Sequence, residues 1–432
     1  MSKIKFANIL IFYFLLGLTS TAPALAIPVG GYISLFTIFL AVCTLHLLFC
    51  FGSNKVPKSD ARNYRYYMLW LIAGVLSGLF GAVYFQGEPE LWSQTSFGSI
   101  SKVLHYILIA ILIGKNNRRE EIVKYLLYGL LWGMIMNIGW SVIDAVMFYL
   151  TGDSINNTVF AGYAEAVGAR YGILSLTYGP TIRSSGFNMD PANVGLFIII
   201  VFAYALRAHK KLLIALCVLG VFATASMTAI VGMMMSAFIY YLRKPQVIVR
   251  SLISATVIVA IIIAILPREN LVVESVGILM DSRIEQKKEA GNDKDNQRIV
   301  YLKYFVPAIE EMPTSLIIGT GFFTSSYPYL KSNFCKAEEF RPYDPEQTYI
   351  AVFFDCGLIG FIFFCFFYKG IFSKFFRKDY DDVEEDEIIQ YAGIEGTLSA
   401  FLFYHYVLYS VTMLIAIAGI FKISKKYVYK QK

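Results

Sequence analysis

Apolar runs recur along most of this chain, most of them close to the roughly 20 residues that carry a helix across the hydrocarbon layer of a bilayer. They fall near 6–24, 29–51, 66–86, 97–114, 125–150, 192–206, 211–226, 228–242, 248–266, 347–368, 391–409 and 410–422, several of them short. Peptide groups inside lipid find no water to bond, so such a run must close its hydrogen bonds within itself, as a helix. The expected fold is therefore an all-α polytopic membrane protein with about 12 transmembrane helices. The stretches 211–242 and 391–422 read equally well as broken hairpins. Composition agrees: with 57% of residues hydrophobic and 16% charged, too little polar surface exists to cover a water-soluble body of this size. The 30 tyrosines suit the two membrane interfaces, where a ring with a polar tip is stable.

The net charge of +7 suggests nucleic acid in a soluble protein, but here the cations gather at span ends. With the N-terminus placed inside, 25 of the 38 basic residues fall on inner segments. The short outer connections hold only Lys102, Arg170 and Arg183, and the remaining cations lie in one long outer segment, a class exempt from the positive-inside rule. Both termini are thus expected in the cytoplasm, with no role in nucleic-acid binding. Lys3 and Lys5 precede the first apolar run and residues 22–26 faintly resemble a cleavage site, yet the next run follows at once, which reads as a retained first span. The six cysteines show no metal or disulfide spacing.

Three regions follow: 1–266 with nine spans and a small polar outer loop at 151–191; a large outer loop at 267–346; and 347–432 with the last three spans and a cytoplasmic tail. A loop as long as 267–346 is usually functional or disordered. Ile299, Leu302, Phe305, Val306 and Ile309 share one helical face, so the loop is expected to contain an amphipathic helix capped by Asp293 or Asn296.

Four constellations carry candidate chemistry. Arg183, Gly186, Asp190, Pro191 and Asn193 stand directly before a span, where Asp190 reads as N-cap and Pro191 as first helical residue. A helix N-terminus with an arginine beside it suits an anion such as a diphosphate. Thr224–Ala229 is a small polar break between two apolar runs, most simply a packing feature. Arg298 heads the amphipathic helix, followed by Gly319, Thr320, Gly321 and Phe322. Glu346 and Tyr349 then lead into Asp355 and Gly357–Gly360, with Asp355 at membrane depth, where a carboxylate needs a partner or a function. Asp144, Glu395 and His405 carry the same expectation. Two DxD-like pieces, at 379–381 and 293–295, read as solvated charge runs. No P-loop, GxGxxG or HExxH pattern occurs in the sequence.

In order, these pieces resemble the Wzy-type O-antigen polymerase and O-antigen ligase superfamily. Its R-x-S-G stretch and P-N pair read here as Arg183-Ser184-Ser185-Gly186 and Pro191-Ala192-Asn193, with one extra residue in the pair. Its Arg-headed helix and G-x-G-x-F motif read as Arg298 and Gly319–Phe322, and its H-N-x-Y-L and acid-x-G-L-x-G motifs as Glu346–Ile350 and Asp355–Gly360. The family's ligases carry His where this chain has Glu346, which tilts the reading toward a polymerase.

The resemblance implies a GT-C-like glycosyltransferase of the bacterial inner membrane. It would join oligosaccharide repeat units carried on undecaprenyl diphosphate into O-antigen, capsular or exopolysaccharide, with neither cofactor nor metal. Arg183 and Arg298 would hold the diphosphate, since guanidinium is always charged and grips phosphate in bidentate fashion. Glu346 would serve as acceptor base, its pKa raised by desolvation. Gly186, Asp190, Asn193, Arg283, Arg341, Tyr349 and Asp355 are the expected substrate-binding residues. The implied partners are the lipid-linked oligosaccharides, the bilayer, a chain-length regulator and a flippase. Two competing readings are a ligase passing glycan to lipid A-core or protein, and, from another class, a flippase or transporter of lipid-linked sugars.

Overall fold

The computed structural model describes residues 3–28, 31–50, 58–84, 98–167, 174–178, 181–241, 305–331, 347–376, 384–402 and 408–421. Within them the chain is all-α, with sixteen helices and two small hairpins. Two helices are long and apolar enough to cross a membrane: α5 (Arg119–Thr151) and the apolar part, Thr348–Ser373, of α14 (Thr348–Phe376). The other longer helices are α1 (Lys3–Ser20), α2 (Leu35–Phe49), α3 (Lys58–Tyr84), α4 (Gly98–Lys115), α8 (Pro191–Arg207), α9 (Lys211–Thr224), α10 (Met227–Tyr241), α15 (Glu385–Phe401) and α16 (Ser410–Ile420). Leu45, Leu79, Trp132, Leu150, Phe222, Met234 and Ile359 stand exposed on the outside of the bundle. So many large apolar side chains facing outward suit lipid rather than water.

The two stretches that read as broken hairpins resolve into separate helices. α9 ends at Thr224, Ala225 takes a left-handed conformation (φ 44°), and α10 starts at Met227. The helix α15 begins at Glu385, six residues before the apolar run expected at 391, because its first turn is acidic and favoured there by the helix dipole. Of the expected amphipathic helix only α11 (Phe305–Glu311) lies among the described residues. Phe305 and Ile309 pack on a small core with Tyr329 and Phe354, while Val306 faces outward. The span at 248–266 and the loop residues 267–304 lie outside the described residues.

Close approach of small residues fixes the bundle. A Cβ on Gly129 of α5 would collide with the Phe14 carbonyl of α1, so this pair packs backbone against backbone. α3 packs along α14 through a ring cluster in which Trp70 sits edge-on to Phe364 at 5.1 Å and stacks on Phe367 at 6.2 Å. α8 is the central helix, touching α5, α9, α10 and α15, and nearly every residue from Val194 to Ala205 is buried.

Two ends of the bundle can be told apart. At one, the start of α5, the end of α8 and the start of α15 meet: Lys124 pairs with Asp386 at 2.7 Å, and the Tyr204 hydroxyl donates to Glu385 at 2.6 Å. At the other, the ends of α1, α5 and α9 meet the starts of α8 and α16. Antiparallel hairpins β1–β2 (Ala26–Pro28, Tyr32–Ser34) and β3–β4 (Leu176–Tyr178, Thr181–Arg183) sit there, with Ile27 opposite Ile33 and Leu176 opposite Arg183. So do the short helices α6 (Ile155–Val159) and α7 (Ala161–Ala166).

Candidate functional site

The strap from β4 to α8, residues 181–193, is held by buried short polar side chains. Asp144 on α5 is fully buried. Its carboxylate accepts from Ser154 Oγ at 2.8 Å, the Asn156 backbone N–H at 3.1 Å and Ser175 Oγ at 2.8 Å. Asn156 passes the restraint on, donating from Nδ2 to the Gly186 carbonyl at 2.6 Å. Asn137 Oδ1 accepts from the Phe187 backbone N–H at 3.0 Å and from Asn188 Nδ2 at 2.8 Å, and Tyr409 of α16 donates its hydroxyl to Asn188 Oδ1 at 2.7 Å. A buried carboxylate with three donors is a tolerable state in lipid; an unpartnered one is not.

Gly186 is required by two facts at once. Its φ is +58°, and a Cβ there would lie 2.9 Å from both Asn137 Oδ1 and Ser141 Oγ. Asp190 caps α8 through the Ala192 N–H at 2.7 Å, with Pro191 in the first turn, as the sequence pattern indicates. Arg183 is half-buried. Its Nε donates to the Thr224 carbonyl at 3.4 Å and the next residue's N–H bonds the Ala223 carbonyl at 2.9 Å, so the polar break after α9 is where the strap is fastened.

The Gly319 and Asp355 motifs, 34 residues apart in their third and first positions, form one unit. α14 is broken at Gly357, whose φ of 65° and ψ of 179° release the carbonyls of Phe354 and Asp355 from the helical ladder. The loop fills them: Thr320 N–H donates to Phe354 O at 2.9 Å and Gly321 N–H to Asp355 O at 2.8 Å. The buried Asp355 carboxylate accepts the N–H groups of Phe323 and Thr324, each at 3.2 Å. Its partner is thus the Gly-rich loop, and its immediate work is to hold that loop. Tyr349 lies in an aromatic cluster with Phe364 and Phe401, at centroid distances of 6.0 and 6.3 Å.

The strap and the loop meet at a groove of about 450 Å³, whose lining includes Lys102, His105, Asn193, Phe323, Tyr409 and Phe36. Asn193 comes from the strap motif and Phe323 directly follows Gly321–Phe322. Lys102 and His105 come from the first two turns of α4, and sequence reading gave them no role. Lys102 is exposed and forms no ion pair among the described residues. His105 Nε2 lies 3.1 Å from Thr44 Oγ1 of α2. One signal did mark Lys102: it is one of three basic residues that the expected topology puts on the outer side in short segments, where the positive-inside rule disfavours them. Arg183 is not part of this lining. Arg283, Arg298, Arg341 and Glu346 lie outside the described residues.

At the opposite end, Arg207 and Glu395 form a fully buried ion pair, and Ser236 Oγ donates to Glu395 Oε1 at 2.6 Å. The guanidinium lies over Tyr391 at 4.5 Å and Tyr240 at 5.4 Å, a cation–π arrangement. This pair gives the intramembrane Glu395 its partner.

A family model described as O-Antigen ligase matches residues 212–365. The matched segment takes in the break after α9, the Gly319–Phe322 loop and the part of α14 that holds its break at Gly357, and begins after the strap. No curated protein matches the chain.

Proposed function

We propose that this chain, which carries the family segment of the O-antigen polymerase and ligase superfamily, joins undecaprenyl-diphosphate-linked oligosaccharide repeats into a long glycan on the outer face of the bacterial inner membrane. The observation that carries the reading is the groove, where residues of two distant motifs, Asn193 and Phe323, stand with a lysine and a histidine on a partly apolar wall. In this reading the groove end of the bundle faces outward, both termini lie in the cytoplasm, and about 12 spans complete the membrane domain. The acceptor hydroxyl attacks C1 of the donor glycan, the C1–O bond to the diphosphate breaks, and undecaprenyl diphosphate leaves. Arg183 and Arg298 neutralise the charge that grows on the leaving group. Glu346 takes the acceptor's proton. The route needs neither nucleotide sugar nor metal, and a flippase and a chain-length regulator act beside it.

The glycan ladder of a strain lacking the gene is the direct test. Loss of all chains beyond a single repeat is expected, whereas intact ladders overturn the polymerase reading. Polymer that is made but left unattached would make the chain a ligase, the reading favoured by the description of the matching family model. Glu346, in place of the histidine of the family's ligases, favours polymerisation. Arg183→Ala, Arg298→Ala and Glu346→Gln are each expected to collapse the ladder at normal expression, and a full ladder removes that residue from the mechanism.

A further inference from the structure

We propose that the groove beside α4 is a second lipid-diphosphate seat, which holds the acceptor, distinct from the donor seat served by Arg183; the proposal rests on the polymerase reading above. In polymerisation both substrates carry undecaprenyl diphosphate. The donor loses its diphosphate at C1, while the acceptor keeps its own through the same turnover. Two such head groups repel each other and must be held at once, so one cluster of cations cannot serve both.

The placement of the cations fits this demand. Arg183 is fastened to the end of α9 through the Thr224 carbonyl, and α9 does not line the groove. Lys102 lines it, from α4, with no carboxylate neutralising it among the described residues. His105, steadied against Thr44, and the Asn193 amide supply further polar contacts beside it. The rest of the lining is mixed: Phe36 and Leu40 of α2, Phe323 and Leu408 are apolar, and Thr37, Tyr106, Tyr409 and Ser410 add hydroxyls. A cation with hydroxyls and apolar side chains around it matches an anionic head group followed by an isoprenoid chain. The volume of about 450 Å³ suits the head and the first prenyl units, with the remaining tail in the bilayer.

The test counts bound lipid by native mass spectrometry of the full-length protein in phosphatidylcholine nanodiscs supplied with undecaprenyl diphosphate. The wild type is expected to retain two molecules. Lys102→Gln and Arg183→Gln should each retain one, Lys102→Arg two, and the double Gln variant none. Undecaprenol, which lacks the phosphates, should not fill either seat. A wild type that holds one molecule overturns the proposal, as does Lys102→Gln still holding two, or phosphatidylglycerol at equal concentration displacing one molecule. The underlying reading fails separately. An undiminished ladder in the deletion strain sinks the polymerase and leaves a count of two standing. Lost long chains in that strain, with Lys102→Gln still holding two, sink only the second seat.

Discussion

The two ends of the bundle solve the problem of polar groups in lipid in opposite ways. At the Arg207 end, long polar side chains reach between helices and close on one another: Arg207 pairs with Glu395 and Lys124 with Asp386, and the Tyr204 hydroxyl donates to Glu385. At the Asp144 end, buried carboxylates hold short loops: Asp144 through serines and the Asn156 N–H, Asp355 through the N–H groups of Phe323 and Thr324, and a lysine stands open beside a groove. The first arrangement locks three helix ends together. The second fixes the course of a loop to within a hydrogen bond and leaves cationic chemistry available. A structural end, locked by charge, and an end with an open cation are therefore distinguishable by which groups are saturated.

The largest expected effect is at the structural end. Arg207→Leu leaves Glu395 buried without its cation, a change that typically costs about 3–5 kcal/mol. Thermal melting in detergent should fall steeply. Arg207→Leu with Glu395→Leu removes both charges, and most of the lost stability should return, with a glycan ladder close to wild type. A double variant that melts normally but makes no polymer would show that this end also works, and the contrast between the ends would break.

Next comes Asp144→Asn. The amide keeps the shape but offers one acceptor oxygen where the carboxylate offers two, and hydrogen bonds to a charged group are worth about 1.5–3 kcal/mol. Ser154, Ser175 and the Asn156 N–H then compete for it. Stability should fall less than with Arg207→Leu, yet the ladder should shorten more, because the strap that places Asn193 loosens. Chain length tracking melting temperature equally in the two variants would erase the distinction.

How far these ends were legible in sequence follows from the range of the interactions. Local chemistry was readable: Asp190 and Pro191 announced the start of α8, and the small residues after Thr224 announced a break. Asp144, Asp355 and Glu395 were recognisable as groups needing partners, because lipid penalises a bare carboxylate wherever it lies. The partners themselves were not readable. Arg207 looked like a cation of the following loop, since Lys210 and Lys211 lie beside it, and its acid is 188 residues away. Asp355 called for a partner, and that partner is the turn at Gly321–Thr324, more than 30 residues earlier in the chain. The groove arises where five separate segments converge, so no local pattern encodes it, and only the charge of Lys102, misplaced under the expected topology, pointed there.

Gly186→Ala probes the strap from its backbone. A left-handed φ and a Cβ 2.9 Å from two polar oxygens together cost about 2 kcal/mol. Removing the hydroxyl with Ser141→Ala should return part of the lost chain length, because one of the two clashes goes. Absence of any rescue would mean that the φ angle, rather than the contact, sets the position of the strap.

The smallest effect belongs to Lys124→Gln. Its pair with Asp386 is short, 2.7 Å, but the lysine side chain is 44% exposed. Water and salt screen such a pair, and exposed pairs are worth about 0.2–1 kcal/mol. The distance and the exposure therefore argue in opposite directions, and exposure should decide, since the lysine loses little hydration on pairing. Asp386, almost fully buried, keeps the dipole of the first turn of α15 as support when the lysine is gone. Melting should drop by less than a third of the Arg207→Leu effect, and the difference from wild type should shrink further at high salt. A drop as large as that of Arg207→Leu, unmoved by salt, would mean that Asp386 has no other support and that the charge lock at this end runs from Lys124 through to Arg207 as one network.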